Sequence, residues 1–329
     1  MRNWLAFFST LCVGSTLSLS AMDARTWVDF TADYRSDNVD WRFDAPSPDP
    51  LIGSRLRFDD IQIFEIGFDA RTVMDCNALI RASAGFGWVL DGDAKETLTV
   101  FVDDVDDEDS IDDSDRLRAS HILDGRYVMD LSLAIGYPFY FCDCTVSLAP
   151  VVGYAYDSQS FAEDRNDEIE FDATSPGPGV VLTFEEDEDS DNKYVSRFYG
   201  PFIGVDFNYN PDACLGIYAQ FEYHFAHWKG KRDSSVNFDK FDEFDAGTHH
   251  AHGVVVNFGV DYLFCDCWFV GLNASYEDWH AHKSQEIGDA LADENFAPEP
   301  PAGSCFCDKM SVRYDTHIWK LGISAGKVF

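Results

Sequence analysis

Two aspartates separated by one residue, Asp91 and Asp93, form the first arrangement in this sequence that could carry out a reaction. They follow Phe86-Gly87-Trp88 at the end of an extended segment, and residues two apart in a strand point to the same side. Paired carboxylates can hold and deprotonate a water molecule when one of them has a raised pKa. Asp-Gly-Asp is also ordinary turn sequence. We therefore take Asp91 and Asp93 as candidate catalytic residues, with a simple turn as the alternative.

Histidines form a second candidate group, because seven of the nine fall toward one end of three neighbouring extended segments. They are His224, His227, His249, His250, His252, His280 and His282. Since the histidine pKa lies near physiological pH, such a group could form a metal-binding or pH-responsive rim. Histidines satisfied inside a barrel or in its aromatic girdle are the alternative, because no cysteine or carboxylate has zinc-like spacing around them. We therefore expect no metal and no cofactor.

Nine cysteines are present, of which Cys12 lies in the export signal described below. The other eight divide between short turns, with Cys76, Cys142, Cys144, Cys214, Cys265 and Cys267, and the last long loop, with Cys305 and Cys307. Cysteines two residues apart rarely bond to each other without strain, so each is better placed to reach another turn or another protein. Zinc is the rival partner of such thiolates. Because an oxidising compartment favours disulfides, we predict cross-links, specifically to other cysteine-rich envelope proteins.

All of these residues are positioned by segments in which apolar and polar side chains alternate. From residue 215 one row reads Leu215, Ile217, Ala219, Phe221 and Tyr223, and the other reads Gly216, Tyr218, Gln220, Glu222 and His224. A period of two is typical of a strand with one apolar face. Alternation alone does not decide whether that face packs in a soluble core or contacts lipid.

Three further features favour a membrane β-barrel with lipid on its apolar face and a polar lumen. The apolar rows end in Tyr or Trp, as at Trp88, Trp268 and Tyr276, which is typical of an interfacial girdle. The turns alternate between short and long. The last segment alternates up to the terminal Phe329. We therefore predict an all-β fold, an antiparallel transmembrane β-barrel.

Composition excludes several other classes. The formal charge of −35 argues against a nucleic-acid partner, while a hydrophobic content of 46% allows a folded core. Beyond the first two dozen residues no apolar run reaches about 18 residues, which excludes helical membrane spans. Residues 1–21 have the positive start, the apolar stretch and the small-residue end of a signal peptide. We expect 22–329 to form a single barrel domain.

The alternation predicts about ten strands, an even number as closure requires. They are 26–44, 56–74, 78–92, 125–140, 145–161, 194–210, 215–230, 249–264, 268–284 and 310–329. The short turns lie at 75–77, 142–144, 211–214 and 265–267, and the long loops near 45–55, 93–124, 162–193, 231–248 and 285–309. Because the chain enters from the periplasmic side, the short turns are predicted to be periplasmic and the long loops external.

Acidic residues divide between the loops and the lumen. The runs 103–115 and 185–191 are predicted to be solvated external loops, since they lack the glycine-centred pattern of a calcium loop. The alternation places a second set in the lumen, with Arg81 and Lys320 as the main counter-charges. This set comprises Asp29, Asp33, Glu65, Asp69, Asp130, Asp206, Glu222 and Asp261.

Short motifs are spread along the mature chain, among them Tyr34-Arg35-Ser36-Asp37, Gly85-Phe86-Gly87-Trp88, Gly200-Pro201-Phe202-Ile203-Gly204 and Phe221-Glu222-Tyr223-His224. Together they resemble the Pom family, the Protochlamydia-type outer-membrane proteins. The resemblance implies a chlamydial outer-membrane barrel and leaves its activity open.

The order of elements is also similar to that of the omptins, the ten-stranded outer-membrane aspartyl proteases and adhesins. Omptins place an Asp-x-Asp pair opposite an Asp-x-His pair across the barrel mouth. Asp91 and Asp93 match the first pair. The second pair is expected shortly after Trp228, where the sequence reads Lys231-Arg232-Asp233-Ser234-Ser235-Val236-Asn237 and contains no Asp-x-His.

The sequence predicts an integral outer-membrane protein in contact with membrane lipid. Three functions are compatible with such a protein. A surface-exposed structural envelope protein, cross-linked through periplasmic cysteines, explains both the acidic loops and the cysteine placement. An omptin-like aspartyl endopeptidase or adhesin is the alternative. A narrow porin-like channel ranks third, because about ten strands enclose a lumen that side chains largely fill.

Overall fold

A computed structural model describes residues 25–44, 51–101, 114–123, 126–172, 192–233, 243–245, 251–264, 267–286 and 309–329. The predicted signal peptide, both acidic runs in large part and most of the other predicted loop residues lie outside these ranges. The regular secondary structure within them is β-strand. They contain no helix that is long and apolar enough to cross a membrane.

Thirteen strands make up the described structure. They are β1 (Arg25–Asp44), β2 (Leu51–Val73), β3 (Leu79–Phe101), β4 (Ser114–Leu123), β5 (Tyr127–Gly136), β6 (Phe139–Phe141), β7 (Val146–Asp172), β8 (Asn192–Tyr209), β9 (Leu215–Asp233), β10 (Glu243–Asp245), β11 (Ala251–Phe264), β12 (Trp268–Glu286) and β13 (Lys309–Val328).

The strands form one antiparallel sheet that closes on itself. Long strands that follow each other in the chain pair along their length, and β13 returns to pair with β1. Strands β4 and β5 both lie between β3 and β7, and together they fill one position in the wall. The short β6 and β10 add only to β7 and β9. The structure is therefore a closed ten-stranded barrel, which confirms the predicted fold.

At the end of the barrel opposite the short turns, which we call the outer end, the strands run past their predicted boundaries. β3 continues to Phe101, where the sequence predicts a loop from residue 93. Residues 114–123, in the same predicted loop of 93–124, form β4. β7 continues to Asp172, where the sequence predicts a loop from residue 162. The predicted loop boundaries are wrong here because the apolar row that marks each strand stops, while backbone pairing such as Thr99 with Arg116 continues.

The outer surface of the wall changes polarity half-way along its length. On β1 the outward residues Phe30 and Tyr34 are apolar and exposed, whereas the same row farther along carries the ion-paired Asp40 and Arg42. We call the exposed apolar surface next to the short turns the membrane belt. It includes Phe30, Tyr34, Phe64, Ile66, Trp88, Leu133, Ile203, Phe221, Phe258, Leu272, Trp319 and Leu321. Aromatic pairs such as Tyr276 and Trp319, with ring centroids 4.5 Å apart, lie at its outer border.

The interior changes polarity in the opposite sense. The inward row of β1 begins with carboxylates and ends with the buried Val39 and Trp41. Six large rings, each at most 1% exposed, fill the barrel at this level, and we call them the aromatic plug: Trp41, Phe58, Tyr194, Phe198, Trp228 and Tyr314. The prediction of a polar lumen is therefore right next to the short turns and wrong in the outer half, where an apolar interior faces a polar outer wall.

Candidate functional site

A buried ionic network crosses the barrel on the short-turn side of the aromatic plug. The Arg35 guanidinium is fully buried and donates two hydrogen bonds to Asp37, at 2.7 and 2.8 Å, and one to Glu65 at 3.3 Å. Lys320 makes three further ion pairs, to Glu65 at 3.1 Å, Asp130 at 3.4 Å and Glu277 at 3.2 Å. Because buried charges are costly unless well paired, these contacts hold five strands in one arrangement.

The network is joined to the plug through one amide side chain. Gln159 donates a hydrogen bond to Asp37 at 3.2 Å and accepts one from the Tyr314 hydroxyl at 2.7 Å. Gln159 and Asp37 are both completely buried. The polar and apolar halves of the interior are thus packed against each other as a continuous core.

A second charged cluster lies on the opposite wall. Arg81 donates to Asp206 at 2.8 Å and also binds Glu222. The Nε2 atom of His224 lies 2.9 Å from the other Glu222 oxygen, and the His224 ring packs against Phe202 with centroids 4.8 Å apart. All of these side chains are buried, so the charge of Arg81 is matched within the wall.

Between these clusters and the short turns the interior contains a cavity of about 770 Å³. Glu277, Trp279 and Lys320 line its inner end, and Cys144 and Cys214 line it where it reaches the short turns. Ten carboxylates line the cavity against four Arg and Lys side chains. The cavity is therefore rich in acidic groups, and packed rings bound it on the outer side.

The structure confirms the lumen carboxylates that the alternation predicts. Seven of the eight, and both predicted counter-charges, line the cavity, and Asp206 is buried against Arg81. Charged interior residues that were not predicted include Arg35, Asp37, Asp157 and Glu277. The first two continue the inward row of Asp29 and Asp33 on β1, so strand parity could have identified them.

The candidate catalytic pair lies within the outer half of β3, before the strand ends at Phe101. Asp91 and Asp93 are both exposed, and Asp93 stands between the buried Gly92 and Ala94. Ala94 belongs to the interior core, so the Asp93 side chain points away from the lumen. Asp91 Oδ1 accepts a hydrogen bond from the backbone N–H of the next residue, Gly92, at 2.9 Å. A catalytic role for Asp91 and Asp93 stays a prediction.

The predicted histidine rim is divided between the two faces of the wall. His224 points inward, whereas His252 and His280 lie on the outer face with ring centroids 5.3 Å apart. His249 and His250 lie outside the described residues. In the described ranges no group of three or more His, Cys, Asp or Glu side chains has a metal-binding arrangement.

On the outer face, beyond the membrane belt, His280 is held between two carboxylates. Its Nδ1 lies 2.6 Å from Asp315 and its Nε2 lies 3.2 Å from Asp278, which also approaches His317 at 2.8 Å. Partial burial acts to lower the pKa of His280, but the hydrogen bond with Asp315 and the charge of Asp278 outweigh it and raise the pKa above 6.5. The protonated imidazole is therefore favoured at this place.

Cysteines mark the short-turn end, which we call the cysteine rim: Cys76, Cys142, Cys144, Cys214 and Cys267. All five are unpaired, four are exposed, and Cys267 is partly exposed. Cys265, Cys305 and Cys307 lie outside the described residues. No disulfide joins one described cysteine to another, and a bond to another protein stays a prediction.

Two of the rim cysteines sit in a strained turn. Cys142, Asp143 and Cys144 have φ values of 52°, 55° and 69°, in the left-handed region that non-glycine residues rarely adopt. The Thr145 N–H closes the turn on the Cys142 carbonyl at 3.1 Å. Such conformations persist only where the surrounding structure holds them, and here the flanking strands β6 and β7 do so.

Comparison with protein families decides the family of the chain. The family model of the Protochlamydia outer membrane protein, Pom, matches residues 29–297. This chain belongs to the Pom family. The matched range covers β2 to β12 and most of β1, and with them most of the membrane belt and the lumen, whereas β13 with Trp319, Lys320 and Leu321 lies outside it.

A solved structure shows the same fold for this Pom family member. The outer membrane protease OmpT from Escherichia coli is similar over 95% of this chain and 100% of its own, with 13% identity and a TM-score of 0.56. A FadL homologue from Pseudomonas aeruginosa (9% identity, 93% of this chain and 90% of its own) has a TM-score of 0.30. The translocator domain of the autotransporter NalP from Neisseria meningitidis (10%, 98% and 95%) has a TM-score of 0.31. Among curated proteins there is no match.

Family and fold together establish where the protein resides. The Pom family consists of outer-membrane proteins, and the barrel carries the apolar belt that such proteins present to lipid. The chain is therefore an integral outer-membrane protein. At 13% identity, the likeness to the protease concerns the fold alone.

Proposed function

We propose that this Pom family member is a surface-exposed structural protein of the outer membrane, cross-linked through its cysteine rim to other cysteine-rich envelope proteins. In this proposal the short turns face the periplasm and the outer half faces the medium. The observation that carries the proposal is the concentration of five unpaired thiols at one end of the barrel, four of them exposed.

The rim presents its thiols on turns with little freedom to rearrange. The Asn77 N–H donates to the Met74 carbonyl at 2.8 Å beside Cys76, and the Cys214 N–H donates to Asp212 at 2.7 Å. A disulfide requires Cα atoms within about 7 Å of each other. Thiols that are fixed on separate turns and unpaired within the barrel are therefore better placed to react with a partner that approaches the rim.

The interior supports a structural role as well. The buried rings of the aromatic plug fill the outer half of the lumen and the ionic network crosses it on their short-turn side, a packing that argues against an open channel. The predicted channel function thus has little support. The long polar wall beyond the membrane belt suits a protein that displays a surface above the bilayer.

Gel analysis of isolated envelopes tests the cross-linking. Free thiols are first blocked, and samples are then run with and without reductant. Wild-type protein should migrate in high-mass species that reductant collapses to a monomer. Replacing the five described rim cysteines together with Cys265, the sixth cysteine of the predicted short turns, by serine should abolish these species, whereas the matched control Cys305→Ser/Cys307→Ser should retain them.

A monomeric band in both lanes would contradict the proposal. The peptidase alternative has its own signature: cleavage of a basic peptide by the refolded protein, abolished by Asp91→Ala, would replace the structural role with an enzymatic one.

A further inference from the structure

The lumen cavity contains carboxyl groups that the chain itself does not pair with basic side chains. Asp29 on β1 lies opposite Asp69 on β2. Its electrostatic neighbours, Asp69, Asp261 and Asp33, are all carboxylates. The ion pairs of Arg81 and Lys320 go to other groups, and in the described part of the chain no Arg or Lys forms an ion pair with Asp29, Asp69 or Asp261. Since carboxylates removed from bulk water need compensation, this wall favours a cationic ligand.

Glycines in the wall leave the space that these carboxylates occupy. Gly322 lies beneath Asp33, and a Cβ at that position would collide with Asp33 Oδ1. Gly85 lies beneath Asp130, whose two carboxylate oxygens would be 2.7 Å from such a Cβ. Larger residues would displace the acidic groups, so glycine keeps the negative surface directed into the cavity.

Asp157 gives an independent sign that a partner is missing. Its side chain is 5% exposed and lines the cavity. Its Oδ2 atom accepts no hydrogen bond from any residue that the structure describes. Buried carboxylate oxygens normally have such a partner, and the residue opposite Asp157 in the sheet is another acid, Asp130. Asp130 is paired with Lys320, so the group that lacks a partner is Asp157, which a positively charged hydrogen-bond donor would satisfy.

The placement of the carboxylates distinguishes between cation types. A metal ion needs several oxygens converging within about 2.6 Å, and no such convergent group exists in the described ranges. The acids instead follow the length of the wall. Asp29 and Asp33 are four residues apart on one strand face, which is about 13 Å at the rise of a β-strand. An elongated ligand with several separate charges fits this spacing.

We propose that the cavity binds a linear polyamine, which enters from the short-turn end. Each protonated amine donates hydrogen bonds to the carboxylates that it passes, with Asp29 and Asp69 near the entrance and Asp157 at the inner end. Tyr218 lines the same cavity, and an aromatic ring attracts a nearby ammonium group. The aromatic plug closes the outer end, so the ligand is held and not conducted. This inference does not depend on cross-linking at the cysteine rim.

Calorimetric titration of the full mature chain, refolded in detergent at low ionic strength, tests the proposal with spermidine as the probe. We expect saturable binding to the wild type. The variant Asp29→Asn/Asp69→Asn should bind about tenfold more weakly, because hydrogen bonds to charged groups are lost. Asp59→Asn removes an acid that pairs with Arg57 outside the cavity, and this control should leave the affinity unchanged.

The wild type supplies a second measurement that needs no variant. Butylamine, which carries one ammonium group, should bind much more weakly than spermidine if several carboxylates act together. The proposal is overturned if spermidine shows no saturable binding, if butylamine binds equally well, or if magnesium chloride at equal charge displaces spermidine completely. It is also overturned if the double variant, shown to be folded by its circular dichroism, binds like the wild type.

Discussion

Arg35 is enclosed more completely than almost any other charged side chain of the barrel, with Asp37 and Glu65 as its partners. Replacing it by methionine would leave Asp37 buried without its cationic partner, whereas Glu65 would keep only Lys320. We expect Arg35→Met to lower the free energy of unfolding by about 3–5 kcal/mol, the usual effect of breaking a buried pair. Denaturant unfolding in detergent micelles, followed by tryptophan fluorescence, measures this loss.

The matched control for Arg35 is Arg57, which pairs with Asp59 at 2.7 Å on the outer wall with side chains 54% and 21% exposed. Exposed pairs contribute little because water and salt screen them. Arg57→Met should therefore change the free energy of unfolding by about 1 kcal/mol or less. Equal losses for the two variants would show that the network around Arg35 does not stabilise the barrel.

His280 gives a residue-scale prediction of pH dependence. Although burial opposes it, pairing with Asp315 and Asp278 raises the pKa of His280 above 6.5, and a proton NMR titration of the imidazole should show this. The stabilisation that this pairing gives the folded protein is fully present at a pH below the unfolded-state pKa of His280. It is lost as the pH rises through the higher folded-state pKa. Asp315→Asn should move the pKa of His280 back toward 6.5. A wild-type midpoint at or below that value would contradict the assignment.

At the scale of the strand, Gly230 on β9 tests the packing of the aromatic plug. A Cβ at this position would lie 2.6 Å from Trp228 Cζ2 and 2.7 Å from Trp41 Cζ2. Because overpacking a close-packed core is unfavourable, Gly230→Ala should destabilise the barrel by about 1–3 kcal/mol in denaturant unfolding.

Gly216, on the same strand but at the short-turn end, is the control for Gly230. A Cβ added at Gly216 would have the exposed Asn210 side chain as its nearest neighbour, at 3.3 Å. Gly216→Ala should therefore leave the unfolding midpoint nearly unchanged. If both variants unfold at the wild-type midpoint, the rings around Trp41 do not form a packed plug.

The strands show which part of the fold the sequence can predict. Within the membrane belt one row is apolar and the other polar, so periodicity identifies each strand and its inward carboxylates. Beyond the belt the two rows exchange polarity, as between Asp33 and Trp41 on β1, and a search for one apolar face ends too early. The extensions of β3 and β7 were missed for this reason.

The interior contacts are harder to predict because they join residues that are far apart in the chain. Strand parity places Lys320 and Glu65 in the lumen, yet their ion pair depends on the closure of β13 onto β1. The aromatic plug likewise brings together Trp41 on β1 and Trp228 on β9, which are not neighbouring strands of the barrel. Register and closure, which no local pattern encodes, decide these contacts.

At the scale of the whole molecule, the filled outer half predicts the electrical behaviour of the barrel. We expect no large, stable open level when the refolded wild-type protein is inserted into planar lipid bilayers, because packed rings such as Trp228 and Tyr314 block the lumen. Small side chains at both positions, in Trp228→Ala/Tyr314→Ala, should increase the conductance. A stable open level in the wild type would show that the plug is displaced in the membrane.

Direct mapping of disulfide bonds tests the central claim, that the cysteine rim joins the barrel to other envelope proteins. Thiol-blocked envelopes, digested without reduction and analysed by mass spectrometry, should contain peptides with Cys142, Cys144 or Cys214 linked to peptides of a different protein. Recovery of all rim cysteines as blocked free thiols, or as bonds within this chain alone, would contradict the account.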